Sequence, residues 1–369
     1  MNEQSAATLP RMLTLPNDLH DAIARALAAV PAPRWMRAAQ LLSERYRAPR
    51  MAAAEPMASG ELQALGYAAL MMPATYAQLR GAMAAAAARI AGWNPRTMLD
   101  LGSGPGTALW AAVAQWPSLR SLVAWEREPA LIALGRTLAR GSQSALLQAA
   151  HWERLDLVAQ GAGHGAPSGS AAALRSPLSA DQYDLVVLGH VLNELDPQAQ
   201  RQVVAQAWNM TAGLLLIVEP GTSAAFGVVR AARDALLGVG AQTIAPCAHD
   251  QPCPLQNDWC HFPQRLKRPT FQRRARAAPS EWEDSKFAYA AMARFPAAAP
   301  IWGRVIREPV SNKAYAEAQI STQEGVARYR APKRHRDTFR YLKELDWGAA
   351  LAEPLQPPIE PVEQDPVAG

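Results

Sequence analysis

The segment from Met98 to Thr107, MLDLGSGPGT, combines an apolar strand, a glycine-rich turn and the start of a helix. Gly102, Gly104 and Gly106 recur at every second position, so the backbone can turn sharply and approach a ligand without a Cβ in the way. The helix that follows directs free N–H groups and the positive end of its dipole at the same place. The segment therefore predicts a strand–turn–helix unit that binds a ligand.

Strand-like and helix-like segments alternate through the centre of the chain. Strands are predicted at Thr97–Leu101, Ser121–Trp125, Ala145–Ala149, Tyr183–Leu188 and Leu214–Val218, and helices at Pro129–Arg140 and Pro197–Met210. The last two strands are continuous apolar runs, which is typical of strands buried on both faces of a sheet. The alternation predicts the α/β class with a doubly wound, parallel sheet.

Composition shifts along the chain predict five regions. The central sheet, 93–245, follows an N-terminal helical region, 1–92, whose first 16 residues look disordered. The central region contains an insertion at 160–180, rich in Gly, Ala, Ser and Pro, which we expect to be flexible. Three C-terminal regions are predicted: a cysteine-containing and basic segment at 246–290, a small β-containing basic region at 291–348 and a disordered tail at 349–369.

The formal net charge is only +5, but basic residues cluster in the last third of the chain. The candidates for binding a polyanion such as RNA are Arg265, Lys267, Arg268, Arg273, Arg274, Arg276, Arg328, Arg330, Lys333, Arg334 and Arg336. The alternative is a solvated basic face without a partner. No run of 18 apolar residues is present and the N-terminus lacks a secretory pattern, so we expect neither membrane insertion nor disulfide bonds.

Ligands of doubly wound sheets bind at the carboxyl ends of the strands, where Asp100, Glu126 and His190 are predicted to lie. Asp100 disfavours a dinucleotide, because its carboxylate would face a pyrophosphate, and the turn does not match G-x-G-x-x-G. S-adenosylmethionine (SAM) has an ammonium and a sulfonium but no phosphate, and Glu126 is placed to accept hydrogen bonds from its ribose hydroxyls. Asp156 is a weaker candidate for the adenine amino group. A purely structural turn is the alternative to these ligands.

All three cysteines, Cys247, Cys253 and Cys260, fall within fourteen residues of a proline-containing loop. Clustered thiolates in a loop are typical of iron–sulfur or zinc sites. Four ligands are normally needed, and His249 or His261 could complete the set. Inert or catalytic thiols are the alternative.

Several segments together resemble one family, the methyltransferase-like proteins of the small ribosomal subunit, known in mitochondria and bacteria. They are DLVVLGHVLNEL (184–195), VEPGT (218–222), APCAHDQPCPLQNDWCHF (245–262) and EWEDSKFAY (281–289). The resemblance extends from about Leu62 to Gly348. It implies a Rossmann-like class I methyltransferase sheet that binds SAM, and association with small-subunit rRNA during ribosome assembly.

The resemblance also implies an iron–sulfur cluster held by four cysteines, of which Cys247, Cys253 and Cys260 match the first three. The fourth should fall near Ile320–Ser321, but no cysteine follows Cys260. The sequence also lacks a common catalytic motif. His190 and Asn193 occupy the position where amino-group methyltransferases commonly carry an Asn/Asp-Pro-Pro-aromatic motif. Both are candidates for contacting the cofactor or orienting a substrate, and a hydrogen-bonded strand end is their alternative role.

Two functional hypotheses result. The first is a SAM-dependent methyltransferase acting on or with small-subunit rRNA, and the second is a non-catalytic RNA-binding assembly factor that retains the fold and the metal loop. A nicotinamide-dependent oxidoreductase is a distant third. We expect a monomer that acts in the bacterial cytoplasm or, in a eukaryote, in the mitochondrial matrix.

Overall fold

The computed structural model describes residues 12–47, 60–159, 182–255, 257–357 and 359–362. The predicted insertion at 160–180 lies outside the described residues, as do residues 1–11 of the segment predicted to be disordered. Within the described ranges, no helix is long and apolar enough to cross a membrane.

Four helices precede the central strands, in the region that the sequence predicts to be helical. They are α1 (Asn17–Ala28), α2 (Ala32–Arg47), α3 (Glu61–Leu70) and α4 (Met72–Ala87). Pro73 occupies the first turn of α4, where its missing N–H costs no hydrogen bond, and this separates α3 from α4. Ahead of the helices, β1 (Met12–Leu13) pairs in parallel with Arg265 and Leu266, so the prediction of disorder is wrong for these two residues.

Five parallel strands form the centre of the main sheet. They are β2 (Thr97–Leu101), β3 (Ser121–Glu126), β4 (His151–Arg154), β5 (Tyr183–Gly189) and β6 (Thr211–Pro220). Their spatial order is β4-β3-β2-β5-β6, which confirms the predicted α/β class and its doubly wound sheet. The order switches between β2 and β5, so the carboxyl ends of these two strands flank the crevice in which such sheets bind ligands.

Helices on both faces cover these strands. They are α5 (Thr107–Gln115), α6 (Pro129–Arg140), α7 (Ala145–Gln148), α8 (Pro197–Asn209) and α9 (Ser223–Leu237). Alternate side chains of β5 enter two separate cores: Leu185 packs in the core shared with α1 to α6, and Val186 in the core shared with α8 and α9. Burial on both faces explains why β5 and β6 are continuous apolar runs.

The third strand of the sheet differs from its prediction. Ala145–Ala149 was expected to be a strand, but Ala145–Gln148 forms the short helix α7. Ser144 caps this helix, since its hydroxyl accepts a hydrogen bond from the N–H of Leu147 at 3.4 Å. The strand is the next segment, β4, which lies parallel to β3.

The main sheet continues beyond Ala245, where the central region was predicted to end. After β7 (Gln242–Ala245), the last element of that region, come β8 (Phe262–Lys267), α10 (Thr270–Arg276) and β9 (Trp282–Ala293). Strand β9 is antiparallel to β6 on one edge, and on its other edge it pairs with β7 and β8. The cysteine segment therefore connects two strands that are both bonded to β9.

A second, antiparallel sheet follows. It contains β10 (Gly303–Val305), β11 (Val310–Ser311), β12 (Tyr315–Thr322), β13 (Gly325–Pro332), β14 (Ala350–Leu351) and β15 (Glu360–Val362), with α11 (Arg336–Glu344) after β13. The order is β14-β10-β12-β13-β15, and β11 pairs with β12. The tail predicted to be disordered contributes β14 and β15, so that prediction is wrong for these strands; residues 363–369 lie outside the described part.

Candidate functional site

The glycine turn lies at the carboxyl end of β2. Gly102, Gly104 and Gly106 have φ angles of 67°, 53° and 81°, which residues other than glycine rarely adopt. A Cβ on Gly106 would lie 2.7 Å from the Trp152 ring. The turn thus needs glycine for its backbone conformation, as the sequence predicts, and at Gly106 also for packing against Trp152.

Glu126 ties the end of β3 to the glycine turn. Its Oε2 accepts a hydrogen bond from the Gly104 N–H at 2.8 Å, and its Oε1 accepts one from the Glu128 N–H at 2.9 Å. Burial raises the pKa of Glu126, while these backbone hydrogen bonds act in the opposite direction. Carboxylate oxygens carry two lone pairs each, so Glu126 retains acceptor capacity beside the turn.

Asp100 is the most perturbed group at this edge of the sheet. It is 2% exposed, and its Oδ2 has no hydrogen-bond partner among the described residues. Burial, and then the charge of Glu126, raise the pKa of Asp100 to about 8. Burial favours the neutral form of such a carboxyl, and a cation beside it would favour the ionised form.

Tyr67 approaches the turn from helix α3, and sequence reasoning missed it. Its hydroxyl lies 3.8 Å from the point that a Cβ on Gly104 would occupy. Burial raises its pKa, and Glu194, Glu126 and Asp100 raise it further. Because Tyr67 is 33 residues before Asp100 in the chain and lies in a helix, no local motif connects it to the turn.

His190 follows β5 and has a left-handed backbone, with φ of 63°. Its Nε2 lies 2.5 Å from Oε1 of Gln78, a buried residue of α4. Gln78 in turn donates from Nε2 to the hydroxyl of Ser285 at 2.9 Å and to the Lys286 carbonyl at 3.0 Å. The His190 ring is therefore linked to the N-terminal helices and to β9, a connection that the sequence did not indicate.

Asn193 lies in the turn after His190 and is held by Glu219 from the end of β6. The Asn193 amide donates to Glu219 Oε2, and the Leu192 N–H donates to Glu219 Oε1 at 2.8 Å. Glu219 is fully buried, which raises its pKa to about 7. This pair fixes the turn at the crevice, so it acts on the geometry of the site through the backbone.

Asp156 lies after the end of β4 and is exposed. Its Oδ1 accepts hydrogen bonds from the N–H groups of Val158 at 3.0 Å and Ala159 at 3.4 Å. The structure thus gives Asp156 a local role in closing a turn, and its contact with an adenine stays a prediction.

The three cysteines line one cavity between α9, the cysteine segment and the second sheet, and Ser321 of β12 lines the same cavity. Burial raises the pKa of Cys247 and raises that of Cys260 well above its usual value. In the part of the chain that the structure describes, no group of three or more His, Cys, Asp or Glu side chains is arranged to hold a metal ion. The predicted metal site therefore stays a prediction.

The two histidines proposed as the fourth ligand differ in their surroundings. His261 stacks on Trp259 with ring centroids 5.2 Å apart and meets Trp347 edge-on at 4.9 Å, so it is packed as an aromatic residue. His249 is 8% exposed, and neither of its ring nitrogens has a hydrogen-bond partner among the described residues. Burial lowers the pKa of both rings.

Acidic residues of β9 and the turn before it offset much of the first basic cluster. Arg265 pairs with Asp284 at 2.7 Å and Arg268 with Glu283 at 2.9 Å. Two longer pairs join Arg276 to Glu283 at 3.6 Å and Arg273 to Glu281 at 3.5 Å. Among the described residues, Lys267 and Arg274 have no carboxylate within ion-pair distance, and both are exposed.

The second basic cluster also contains both cations paired with a carboxylate and cations without such a partner. Arg328 and Arg330 on β13 both pair with Glu317 on β12, at 3.7 and 2.8 Å. Beyond them, the turn after β13 and the first residue of α11 expose four consecutive side chains, Lys333, Arg334, His335 and Arg336, which we call the basic turn. No ion pair joins this basic turn to a carboxylate of the described chain, so its positive charge is not balanced there.

The model of the family described as mitochondrial small ribosomal subunit Rsm22 matches residues 61–352, well over half of the chain. The chain belongs to the Rsm22 family. This finding confirms the resemblance that the sequence segments indicate. The glycine turn, the cysteine segment and the second sheet except β15 lie inside the Rsm22-matched region.

One curated relative of this Rsm22-family chain is the human mitochondrial ribosome assembly protein METTL17. The two are 28% identical over 310 residues, which cover 78% of this chain and 62% of METTL17. The chain thus spans less than two thirds of the length of that relative.

Two solved structures illustrate the fold likeness. The magnesium protoporphyrin IX methyltransferase of Synechocystis PCC 6803 with bound SAM is 10% identical, with a TM-score of 0.37, covering 76% of this chain and 99% of the other. A putative RNA methyltransferase from Pyrococcus horikoshii is 11% identical, with a TM-score of 0.36, covering 70% and 97%. In the Rsm22-family chain the antiparallel strand β9 lies beside β6.

Proposed function

We propose that this chain is a SAM-binding protein with a methyltransferase fold that acts in assembly of the small ribosomal subunit. Membership of the Rsm22 family and the similarity to METTL17 support the ribosomal part of the proposal. The cofactor part is carried by one observation: Asp100 is buried beside a glycine turn with an unpaired carboxylate oxygen.

SAM suits this site better than a dinucleotide does. Its ammonium would supply the cation that Asp100 lacks, and its ribose hydroxyls would donate to the remaining acceptor capacity of Glu126. A pyrophosphate would place two negative charges near Asp100 and Glu126, and burial makes such like-charge contacts costly. Tyr67 would then cover the cofactor from the helical side.

For RNA, we propose that the basic turn provides the main phosphate contacts, together with Lys267 and Arg274. These side chains are exposed and have no carboxylate partner in the described chain, so binding phosphate breaks no ion pair. The paired arginines of the first cluster would first have to leave Asp284 or Glu283, which weakens their contribution. The salt dependence of RNA binding should accordingly reflect a few phosphate contacts.

Methyl transfer to rRNA is the first of two candidate roles. It needs mainly an in-line approach of the acceptor to the sulfonium carbon, so positioning can suffice without a strong base. His190 and Asn193 border the crevice in which that acceptor would lie. The second candidate is a non-catalytic assembly factor, and it is favoured by the engagement of both side chains in bonds to Gln78 and Glu219.

The two roles separate in cells that carry Asp100→Asn as the only copy of the protein. Methylation of small-subunit rRNA is mapped in these cells, and assembly is followed by the ratio of mature to precursor subunits. Loss of one methylated base together with an assembly defect supports the enzyme. Normal assembly without SAM binding contradicts a cofactor-dependent role, and an assembly defect with unchanged methylation supports the non-catalytic factor.

We also propose that Cys247, Cys253 and Cys260 hold a metal group, either an iron–sulfur cluster or zinc. The donor chemistry supports it, since three thiols border one cavity beside the guanidinium groups of Arg233 and Arg304. The group would connect the cysteine segment to the second sheet and thereby stabilise both. Anaerobically purified protein should contain stoichiometric metal, and protein without it contradicts this part.

We propose that the chain acts as a monomer in the compartment that assembles its ribosomes. That compartment is the cytoplasm of a bacterium or, in a eukaryote, the mitochondrial matrix; the human relative METTL17 is a mitochondrial protein.

A further inference from the structure

One face of the β8–β9 pair is uncovered where β9 begins. On this face of β9, Trp282 and Asp284 are exposed, whereas Ala288 and the alternate residues after it are buried in the core shared with α8 and α9. On the opposite face, Leu266 of β8 packs against Ala77 of α4. The helices therefore cover both faces of the centre of the sheet and leave one face of this edge open to solvent.

Trp282 is an exception among the eleven tryptophans of the chain. All of them lie in the described ranges, and Trp282 alone is exposed, with 47% of its surface accessible. An indole in this position contributes little to the core of the fold. Exposed tryptophan side chains are enriched where proteins bind partners, because they offer a large flat contact surface.

Arg265 supports the indole from one side. Its guanidinium carbon lies over the Trp282 ring, 4.2 Å from the ring centre. Two hydrogen bonds fix the same guanidinium: Nε donates to Asp284 Oδ1 at 2.7 Å, and Nη2 donates to Asp284 Oδ2 at 2.8 Å. A bidentate pair of this kind restricts the orientation of the planar guanidinium. The indole is thus positioned before a ligand arrives, with one ring face supported and nearly half of its surface free.

Lys267 adds an unbalanced positive charge to this surface. It is the direct antiparallel partner of Trp282, so the two exposed side chains project from the same face of the sheet. Asp284 on this face is already paired with Arg265, and Lys267 has no carboxylate within ion-pair distance in the described chain. An aromatic ring beside an unpaired ammonium matches a nucleotide, whose base stacks and whose phosphate is anionic.

An unpaired base fits this surface better than a duplex or a protein does. In a duplex the bases stack on one another, and their faces are not available. A protein interface usually surrounds its aromatic anchor with further apolar residues. The neighbours of Trp282 on this face are charged, and the exposed Met12 of β1 lies beyond Arg265, across β8.

We propose that Trp282 stacks on an unpaired base of single-stranded RNA and that Lys267 contacts the phosphate beside that base. The inference rests on the RNA binding proposed above and adds to the basic turn a contact that depends on the base. Arg265 is a positioning residue here, because it supports the indole while it keeps its own ion pair. Every base has a face that can stack, so the surface selects unpaired RNA with little preference for sequence.

The test uses the full chain and two labelled oligoribonucleotides of equal length and charge, one of uridines and one whose sugars carry no bases. Fluorescence polarisation measures the affinity for each at several salt concentrations. Trp282→Ala should weaken the binding of oligouridine about 5- to 150-fold, the effect of losing one base–aromatic stack, and leave the binding of the abasic oligomer unchanged. Trp282→Tyr should retain most of the preference for oligouridine.

Two further variants separate stacking from charge. Lys267→Gln should weaken the binding of both oligomers and lower the slope of log affinity against log salt by about 1, because one phosphate contact is lost. Val239→Ala removes another exposed apolar side chain, 64% accessible, and should match wild type in both measurements.

Three results overturn the stacking proposal alone. They are binding of oligouridine by Trp282→Ala that equals wild type, equal losses by Trp282→Ala for both oligomers, and binding of RNA-free small-subunit proteins that Trp282→Ala abolishes, which assigns the surface to a protein partner. Wild type that binds neither oligomer removes the proposed RNA binding as well, so the two failures are distinguishable.

Discussion

The substitution Asp100→Asn tests the cofactor site most closely, because it removes one charge and almost no volume. The wild-type carboxyl has a pKa of about 8 without a cation, so about one molecule in ten is ionised at pH 7. If SAM binds only the ionised form, its affinity should increase about tenfold for each unit by which the pH is raised, as long as the pH is below this pKa. The amide side chain of the Asp100→Asn variant does not ionise, so the variant should show no such pH dependence of SAM affinity.

The loss of affinity follows from the strength of one charged contact. A hydrogen bond to a charged group contributes about 1.5–3 kcal/mol, so Asp100→Asn should weaken SAM binding about 10- to 150-fold relative to the fully ionised carboxyl. Near pH 7, where about one carboxyl in ten is ionised, the expected loss is about tenfold smaller. Calorimetric titration with SAM at several pH values between about 6 and 7 measures both quantities, and the ligand ammonium stays mostly charged over that range. Asp184→Asn, at the opposite end of the same sheet, is the control, because Asp184 accepts hydrogen bonds from Arg96 and Thr97.

The pH dependence of protein stability tests the raised pKa of Asp100 independently. The folded-state pKa of about 8 lies above the reference value of 3.8, so the folded chain holds a proton that the unfolded chain loses. The free energy of unfolding should therefore fall as pH rises between these values, and Asp100→Asn should remove this part of the fall. A wild-type affinity independent of pH, or an Asn variant that binds SAM as wild type does, would refute the reasoning.

Three further perturbations address the turn, its support and the RNA surface. Gly106→Ala should weaken SAM binding at least about tenfold and lower the melting temperature, because the new Cβ meets a ring at 2.7 Å, whereas Gly227→Ala, with open space around its Cβ, should do neither. Glu219→Gln turns an acceptor into a donor at a buried site and should cost about 1–3 kcal/mol in urea unfolding; an unchanged midpoint would contradict the network. Changing the three Lys and Arg residues of the basic turn to Gln should reduce the slope of log affinity for RNA against log salt by about 2–3. The same change at the paired Arg265 and Arg268 should have a smaller effect, and equal effects would show that the ion pairs do not matter.

Local patterns were sufficient for the centre of the fold. The apolar runs of β2, β5 and β6 and the glycines between β2 and α5 specify their conformation through neighbours in sequence, and these predictions agree with the structure. The prediction for 145–149 was wrong because a short apolar run does not distinguish strand from helix, and Ser144 as a cap favoured the helix. Strand β9 was missed because its partners lie far away in the chain.

Contacts between distant segments also explain what was missed at the site. Tyr67 and Gln78 reach the crevice from helices that carry no motif of their own. The acidic partners of the first basic cluster follow α10 in the sequence and lie on β9. A count of charges within the cluster therefore overestimates its free positive charge.

Ultraviolet crosslinking in cells tests the proposal that this chain binds small-subunit rRNA during assembly. RNA crosslinked to the wild-type chain is sequenced beside RNA from the variant with a neutral basic turn. Sequencing reads from RNA crosslinked to the wild-type chain should concentrate in small-subunit rRNA and its precursor, and the variant should lose most of these reads. Reads spread over unrelated RNAs, or an unchanged crosslink pattern in the variant, would contradict it.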